Sequence, residues 1–313
     1  MADAGSFDAT TMADGERKEI DAELCLPYQE HALQFNCEED QLLGLVCAPR
    51  VVAPEVKTAI LILVGGPQYR AGSHRQFTLL ARFLAEQGYP SLRLDYRGMG
   101  DSEGAQRSFE HVSKDIAAAI DALLAGTTSK IQQVAIWGLC DAAAAALLYC
   151  GHANDARVRG LCLLNPWVRS DTTQAKTQIK HYYGQRLRQP EFWKKLLSGK
   201  VAVTALTEVL RTAKQAISSS TKKRMAPLAP FQTRMAKAWA CFDGRIQLII
   251  SGRDLVAKEF LDNCKNAPEW RGLLSEEKVC TLTIAQADHT FSSYEYRQAV
   301  HAQTLEFIRK LNA

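Results

Sequence analysis

The sequence predicts an α/β protein with a mostly parallel central sheet flanked by helices and one helical insertion. Three observations carry this expectation. Short, continuous apolar runs of the kind buried on both faces of a sheet recur along the chain. Stretches with helical spacing alternate with them, as a parallel sheet covered by helices requires. From Trp167 to Lys237 helical spacing continues with no strand signal at all.

Taken in order, residues 1–24 are small and polar and read as a flexible tail. Segments 31–37 and 42–48 flank the acidic turn Glu38-Glu39-Asp40 and read as an antiparallel pair. The apolar runs follow at 59–64, 91–94, 134–137, 161–164, 246–250 and 279–284, with helices expected near 74–88, 108–125, 141–151, 255–265 and 293–311. The core is therefore expected over 25–166 and 238–313, with a helical cap over 167–237 above the carboxyl edge of the sheet, where such folds hold ligands.

Composition narrows the class. The 313 residues are 47% apolar and 23% charged, with 38 basic and 34 acidic side chains and a net charge of +4. This excludes a wholly disordered chain, and the balance gives no reason to expect nucleic acid. No run approaches the roughly 18 apolar residues that span a bilayer, and the first twenty lack the apolar block of a secretory signal, so a cytoplasmic protein is expected. Nine cysteines without a C-x-x-C pair argue against a disulfide framework and a zinc knuckle, and no metal or cofactor is expected. The loop Asp95-Tyr96-Arg97-Gly98-Met99-Gly100-Asp101-Ser102-Glu103-Gly104 imitates a dinucleotide-binding turn. Its glycines are misplaced, however, and Asp95, Asp101 and Glu103 would repel a pyrophosphate, so it reads as a structural loop.

The segment that can do chemistry is Val134-Ala135-Ile136-Trp137-Gly138-Leu139-Cys140-Asp141-Ala142-Ala143-Ala144. A nucleophile on a sharp strand-to-helix turn needs small residues two positions to either side, and Gly138 and Ala142 supply them. The amino end of the following helix favours a thiolate at Cys140, whereas the neighbouring Asp141 carboxylate opposes it, so the thiol calls for a base. Cys47, Cys150, Cys162 and Cys280 read as buried apolar residues. The base and its orienting carboxylate belong on loops after later strands, and His289 and Asp254 stand there. Among the other histidines only His74 could border the pocket, on the wrong side for a base. Oxyanion donors are expected from the backbone N–H groups of Asp141 and Gly66, with Pro67 stiffening the turn behind.

Together these segments resemble the α/β-hydrolase superfamily from about residue 30 onward. More narrowly, Gly65-Gly66-Pro67-Gln68-Tyr69-Arg70, Gly72-Ser73-His74-Arg75-Gln76-Phe77 and Gly138-Leu139-Cys140-Asp141-Ala142-Ala143 resemble the exosortase A system-associated hydrolase 1 family, bacterial proteins associated with exopolysaccharide loci. The resemblance implies a catalytic set on Cys140, Asp254 and His289 and a helical cap. This chain has cysteine where the superfamily usually has serine, and Ala142 where it usually has a second glycine.

The function expected is cleavage of an ester or thioester on a small-molecule, lipid or glycan substrate. A non-catalytic scaffold of the same fold, or an acyltransferase to a glycan, is the alternative. Charge sharpens the cap's role: residues 167–237 hold fifteen Lys and Arg against three Asp and Glu, or +12, which leaves −8 on the rest. Such a cap could be the solvated face of its helices, could lean on an anionic membrane through Lys194, Lys195, Lys222, Lys223 and Arg224, or could draw in an anionic substrate.

Overall fold

The computed structural model describes residues 26–66, 68–127, 130–169 and 229–313. The expected tail, Pro67 and the cap from 170 to 228, with the five basic residues named above, lie outside the described residues.

Eight strands form one sheet: β1 (Tyr28–Cys37), β2 (Asp40–Pro49), β3 (Thr58–Leu63), β4 (Ser91–Leu94), β5 (Gln133–Leu139), β6 (Val158–Leu164), β7 (Arg245–Ser251) and β8 (Val279–Ile284). Their order is β1-β2-β4-β3-β5-β6-β7-β8. β1 and β2 pair antiparallel, β2 joins β4 antiparallel, and every later pairing is parallel. The described helices are α1 (Gln76–Glu86), α2 (Ser113–Ala125), α3 (Asp141–Ala153), α4 (Phe231–Cys241), α5 (Leu255–Asn266) and α6 (Tyr294–Asn312).

Every residue of β3 and β4 is buried, as continuous apolar runs demand when helices cover both faces. β8 differs from expectation. As the last strand it pairs with β7 alone, and its residues are at best half-buried. Cys280 is accordingly exposed and Cys150 only half-buried, whereas Cys47 and Cys162 are buried.

The loop after β4 is scaffolding. Arg97, 1% exposed, donates from its backbone N–H and Nε to Asp115 Oδ1 at 2.9 and 3.1 Å, and from Nη2 to Oδ2 at 3.0 Å. Gly98 has φ +71°, and a Cβ there would stand 2.1 Å from the Gln106 nitrogen, so only glycine fits. Asp95 is turned inward, accepting from the Arg70 backbone at 2.7 Å and from the Arg70 side chain.

α4 crosses the expected core–cap boundary at 237. It buries Met235, Ala236, Ala238 and Trp239, and it lies so close to α3 that a Cβ on Gly151 would meet Ala238 Cβ at 2.7 Å. Trp239 and Phe260 each pack edge-on against Trp270 with ring centroids 5.4 Å apart, which ties α5 to α4.

Asp115 is fully buried, so Asp115→Ala removes the buried partner of the Arg97 guanidinium, which keeps the more exposed Glu38. The variant is expected to lose about 1.5–3 kcal/mol of stability in urea unfolding; an unchanged midpoint would show that the pair is not structural.

Candidate active site

β5 ends where the chain must reverse into α3, and Cys140 takes the turn. Its φ of +63° and ψ of −124° are unusual for a residue with a side chain and cost about 1–3 kcal/mol. Neighbours impose the conformation. The Cys140 N–H donates to Leu164 O at 2.9 Å, and its carbonyl accepts from the N–H groups of Ala143 and Trp167 at 3.1 Å each. A Cβ on Gly138 would lie 2.8 Å from the Ala142 carbonyl, and one on Gly65 would lie 2.4 Å from Leu139 O, so bulkier residues would push the turn open. The thiol is held half-buried at the carboxyl edge of the sheet.

Asp254 and His289 reach it from the two strands beyond. Asp254 follows β7 and caps α5, accepting from Val256 N–H and Ala257 N–H at 3.1 Å each. The same carboxylate accepts from His289 Nδ1 at 2.8 Å, and the His289 ring lines one cavity with the Cys140 thiol. Those two neighbours, Asp254 first, outweigh burial and push His289 up to about 10. Burial alone would raise the Asp254 carboxyl, but the His289 hydrogen bond and charge and the helix N–H groups bring it below its ordinary value.

Sequence reasoning missed Asn165. It lies directly after β6, fully buried, with φ +43°. Its side-chain N–H₂ donates to Ser251 Oγ at 2.8 Å and to the His289 carbonyl at 3.0 Å, and its Oδ1 accepts from Ser251 N–H at 2.8 Å. Ser251 Oγ in turn donates to the Asp288 carbonyl at 2.7 Å. The amide thus ties the ends of β6 and β7 to the loop that carries His289. A lone polar residue at the end of an apolar run was the only available signal.

Gly66 and Asp141 are where the site departs from a simple acyl-transfer arrangement. Gly66 lies beside the elbow as expected, but its N–H is not free: it donates to Asp141 Oδ1 at 2.7 Å. The side chain after Cys140 has folded into the expected oxyanion position. Burial raises the Asp141 carboxyl, opposed by the N–H bonds from Gly66 and Ala142.

The described walls of the adjoining cavity, about 330 Å³, include Gly66, Phe77, Cys140, Asp141, Trp167 and His289. Trp167, at the expected start of the cap, forms part of it, and His74 does not. Among the described residues no group of three or more His, Cys, Asp or Glu is placed to hold a metal.

The comparisons agree with this architecture. Residues 55–190 match the family model described as serine aminopeptidase, S33. No curated protein matches the chain. Among solved structures, esterase Pf2001 of Pyrococcus furiosus superposes with a TM-score of 0.61 at 16% identity, over 92% of this chain and 95% of that one. Est1E of Butyrivibrio proteoclasticus, solved with ferulic acid, gives 0.56 at 14% identity over 89% and 100%. The hydrolase GrgF of Penicillium sp. sh18 gives 0.58 at 14% identity over 90% and 98%. Sheet order, strand-to-helix elbow and these superpositions together establish that the chain has the α/β-hydrolase fold.

Proposed function

We propose that the protein is a cofactor-free hydrolase of esters or thioesters with Cys140 as nucleophile. The observation that carries this reading is His289, hydrogen-bonded to Asp254 and sharing with Cys140 the wall of a 330 Å³ cavity. His289 takes the proton of the Cys140 thiol, the sulfur attacks the carbonyl carbon and the C=O π pair moves onto oxygen. The tetrahedral adduct collapses, the alcohol or thiol leaves with the proton of His289, and an acyl-cysteine remains. His289, now neutral, takes a proton from water as that water attacks the thioester. Collapse releases a free carboxylic acid and returns the ring proton to the sulfur. Proton transfer of this kind accounts for about 10²–10⁴ in rate.

The esterases and the aminopeptidase model among the matches agree with acyl transfer as the reaction class. The resemblance of the elbow and the Gly65–Phe77 segment to exosortase-associated hydrolases supports a setting in bacterial exopolysaccharide assembly, and nine cysteines without a C-x-x-C pair support a reducing, cytoplasmic location. The +12 charge of residues 167–237 supports contact with an anionic surface or substrate. No described helix is long and apolar enough to cross a membrane. One observation favours the scaffold alternative, namely the Asp141 carboxylate in the oxyanion position.

Purified protein is expected to turn over a panel of acyl esters and thioesters, with Cys140→Ala lowering the rate at least about 10³-fold. Chloroacetamide should label Cys140 ahead of the seven other cysteines in the described residues. Turnover that survives Cys140→Ala would rule out the thiol mechanism.

His289 gains its proton affinity on folding, so the stability it confers is complete below about pH 6.5 and is lost as pH rises through about 10. Asp254→Asn keeps a helix-capping side chain but removes the charge. In that variant the imidazole titration, followed by NMR, is expected to fall by about one to three units, and the alkaline loss of stability should move down with it. A titration unmoved by Asp254→Asn would refute the pairing.

A further inference from the structure

We propose that Tyr96 is a positioning residue whose buried hydroxyl takes over the Asp141 carboxylate when a substrate carbonyl claims the Gly66 N–H. This rests on the hydrolase reading above and adds a residue to that reaction.

At rest the Gly66 N–H donates to Asp141 Oδ1 at 2.7 Å. A carbonyl oxygen entering the cavity meets a carboxylate in that place. As negative charge develops on the oxygen, the two anions compete for one donor and repel each other. Turnover therefore requires Asp141 to give up Gly66. Burial already disfavours the charge of this carboxylate, so leaving one donor is costly unless another receives it.

The sheet places such a donor at the same level. β4, β3 and β5 lie side by side, and the pairs Ile62–Arg93 and Leu63–Gly138 align their carboxyl ends. Tyr96, Gly65 and Asp141 each stand two residues beyond one of those ends. Tyr96 is 4% exposed, and its hydroxyl has no partner among the described residues. Burial pushes the phenol well above its ordinary range, and the charges of Asp141 and Asp115 push it further, so it keeps its proton and can donate it. Asp115 is occupied, since both of its oxygens accept from Arg97. Of those two carboxylates, Asp141 is the one left to accept from the hydroxyl.

The exchange makes and breaks no bond between heavy atoms. Asp141 passes from the Gly66 N–H to the Tyr96 O–H, and the Gly66 N–H passes from Asp141 to the oxyanion. Tyr96 does not line the described walls of the cavity, so it acts through Asp141 rather than on substrate. Its hydroxyl gains a partner only as the oxyanion forms, and its hydrogen bond lowers the barrier rather than tightening substrate binding.

The test is a double-mutant cycle of Tyr96→Phe and Asp141→Ala, read as turnover of 4-nitrophenyl acetate with the Cys140→Ala rate subtracted as background. Tyr96→Phe is expected to lower kcat about 10-fold with KM unchanged, the mark of an interaction made in the transition state. It should leave the urea midpoint unchanged or raise it, because the hydroxyl removed is unbonded at rest. In Asp141→Ala there is no carboxylate to receive, and the loss caused by Tyr96→Phe should disappear. Full kcat in Tyr96→Phe, an equal loss with and without the Asp141 carboxylate, or a fall in the urea midpoint would each overturn the assignment while leaving the hydrolase reading intact. A folded but inactive Asp141→Ala would overturn it as well, since the carboxylate would then be needed where it stands. Absence of any Cys140-dependent turnover would overturn both readings.

Discussion

The sharp left-handed turn at Cys140 is the constraint around which the rest is arranged. A residue with a side chain holds φ +63° only because the chain on every side leaves it no room to relax. β6 supplies an acceptor for its N–H, Trp167 and α3 take its carbonyl, and Gly65 and Gly138 bring two backbones within van der Waals distance of the turn. Those contacts need β3, β5 and β6 to lie side by side in register, which the parallel pairing Leu63–Gly138–Leu163 provides. The stability of a large buried sheet is thereby converted into the position of one sulfur atom.

Much of this could be read from residues alone, because the signals were local. The strands buried on both faces are continuous apolar runs, and β4 and β8 have the expected limits. The elbow is visible because small residues crowd around one cysteine. What stayed hidden depends on neighbours distant in sequence. Val279–Ile284 looks like a central strand, yet its place at the end of the sheet is decided by chain topology rather than by its own side chains. Asn165 joins segments 86 and 124 residues away, a separation no local pattern reports. The Asp141 carboxylate was read as a neighbour that would disfavour the thiolate; its reach across 75 residues to Gly66 changes its meaning.

The electrostatics of the site follow from these placements. The Cys140 sulfur shares one cavity wall with His289 and Asp141, and the imidazole and the carboxylate act in opposite senses on any negative charge that forms there.

Asp254 has a consequence that reaches beyond its hydrogen bond to His289. Its two oxygens serve two masters, accepting from the first-turn amides of α5 and from His289 at once. The integrity of a helix end and the protonation of the ring are therefore thermodynamically linked: each proton gained or lost at His289 is felt by the amides of Val256 and Ala257. Hydrogen exchange at those two positions becomes a reporter of the charge state of the site, readable without any substrate. By the same linkage, activity lost on replacing Asp254 mixes a frayed helix with a misaligned imidazole, and the two separate only when local exchange and turnover are measured on the same sample.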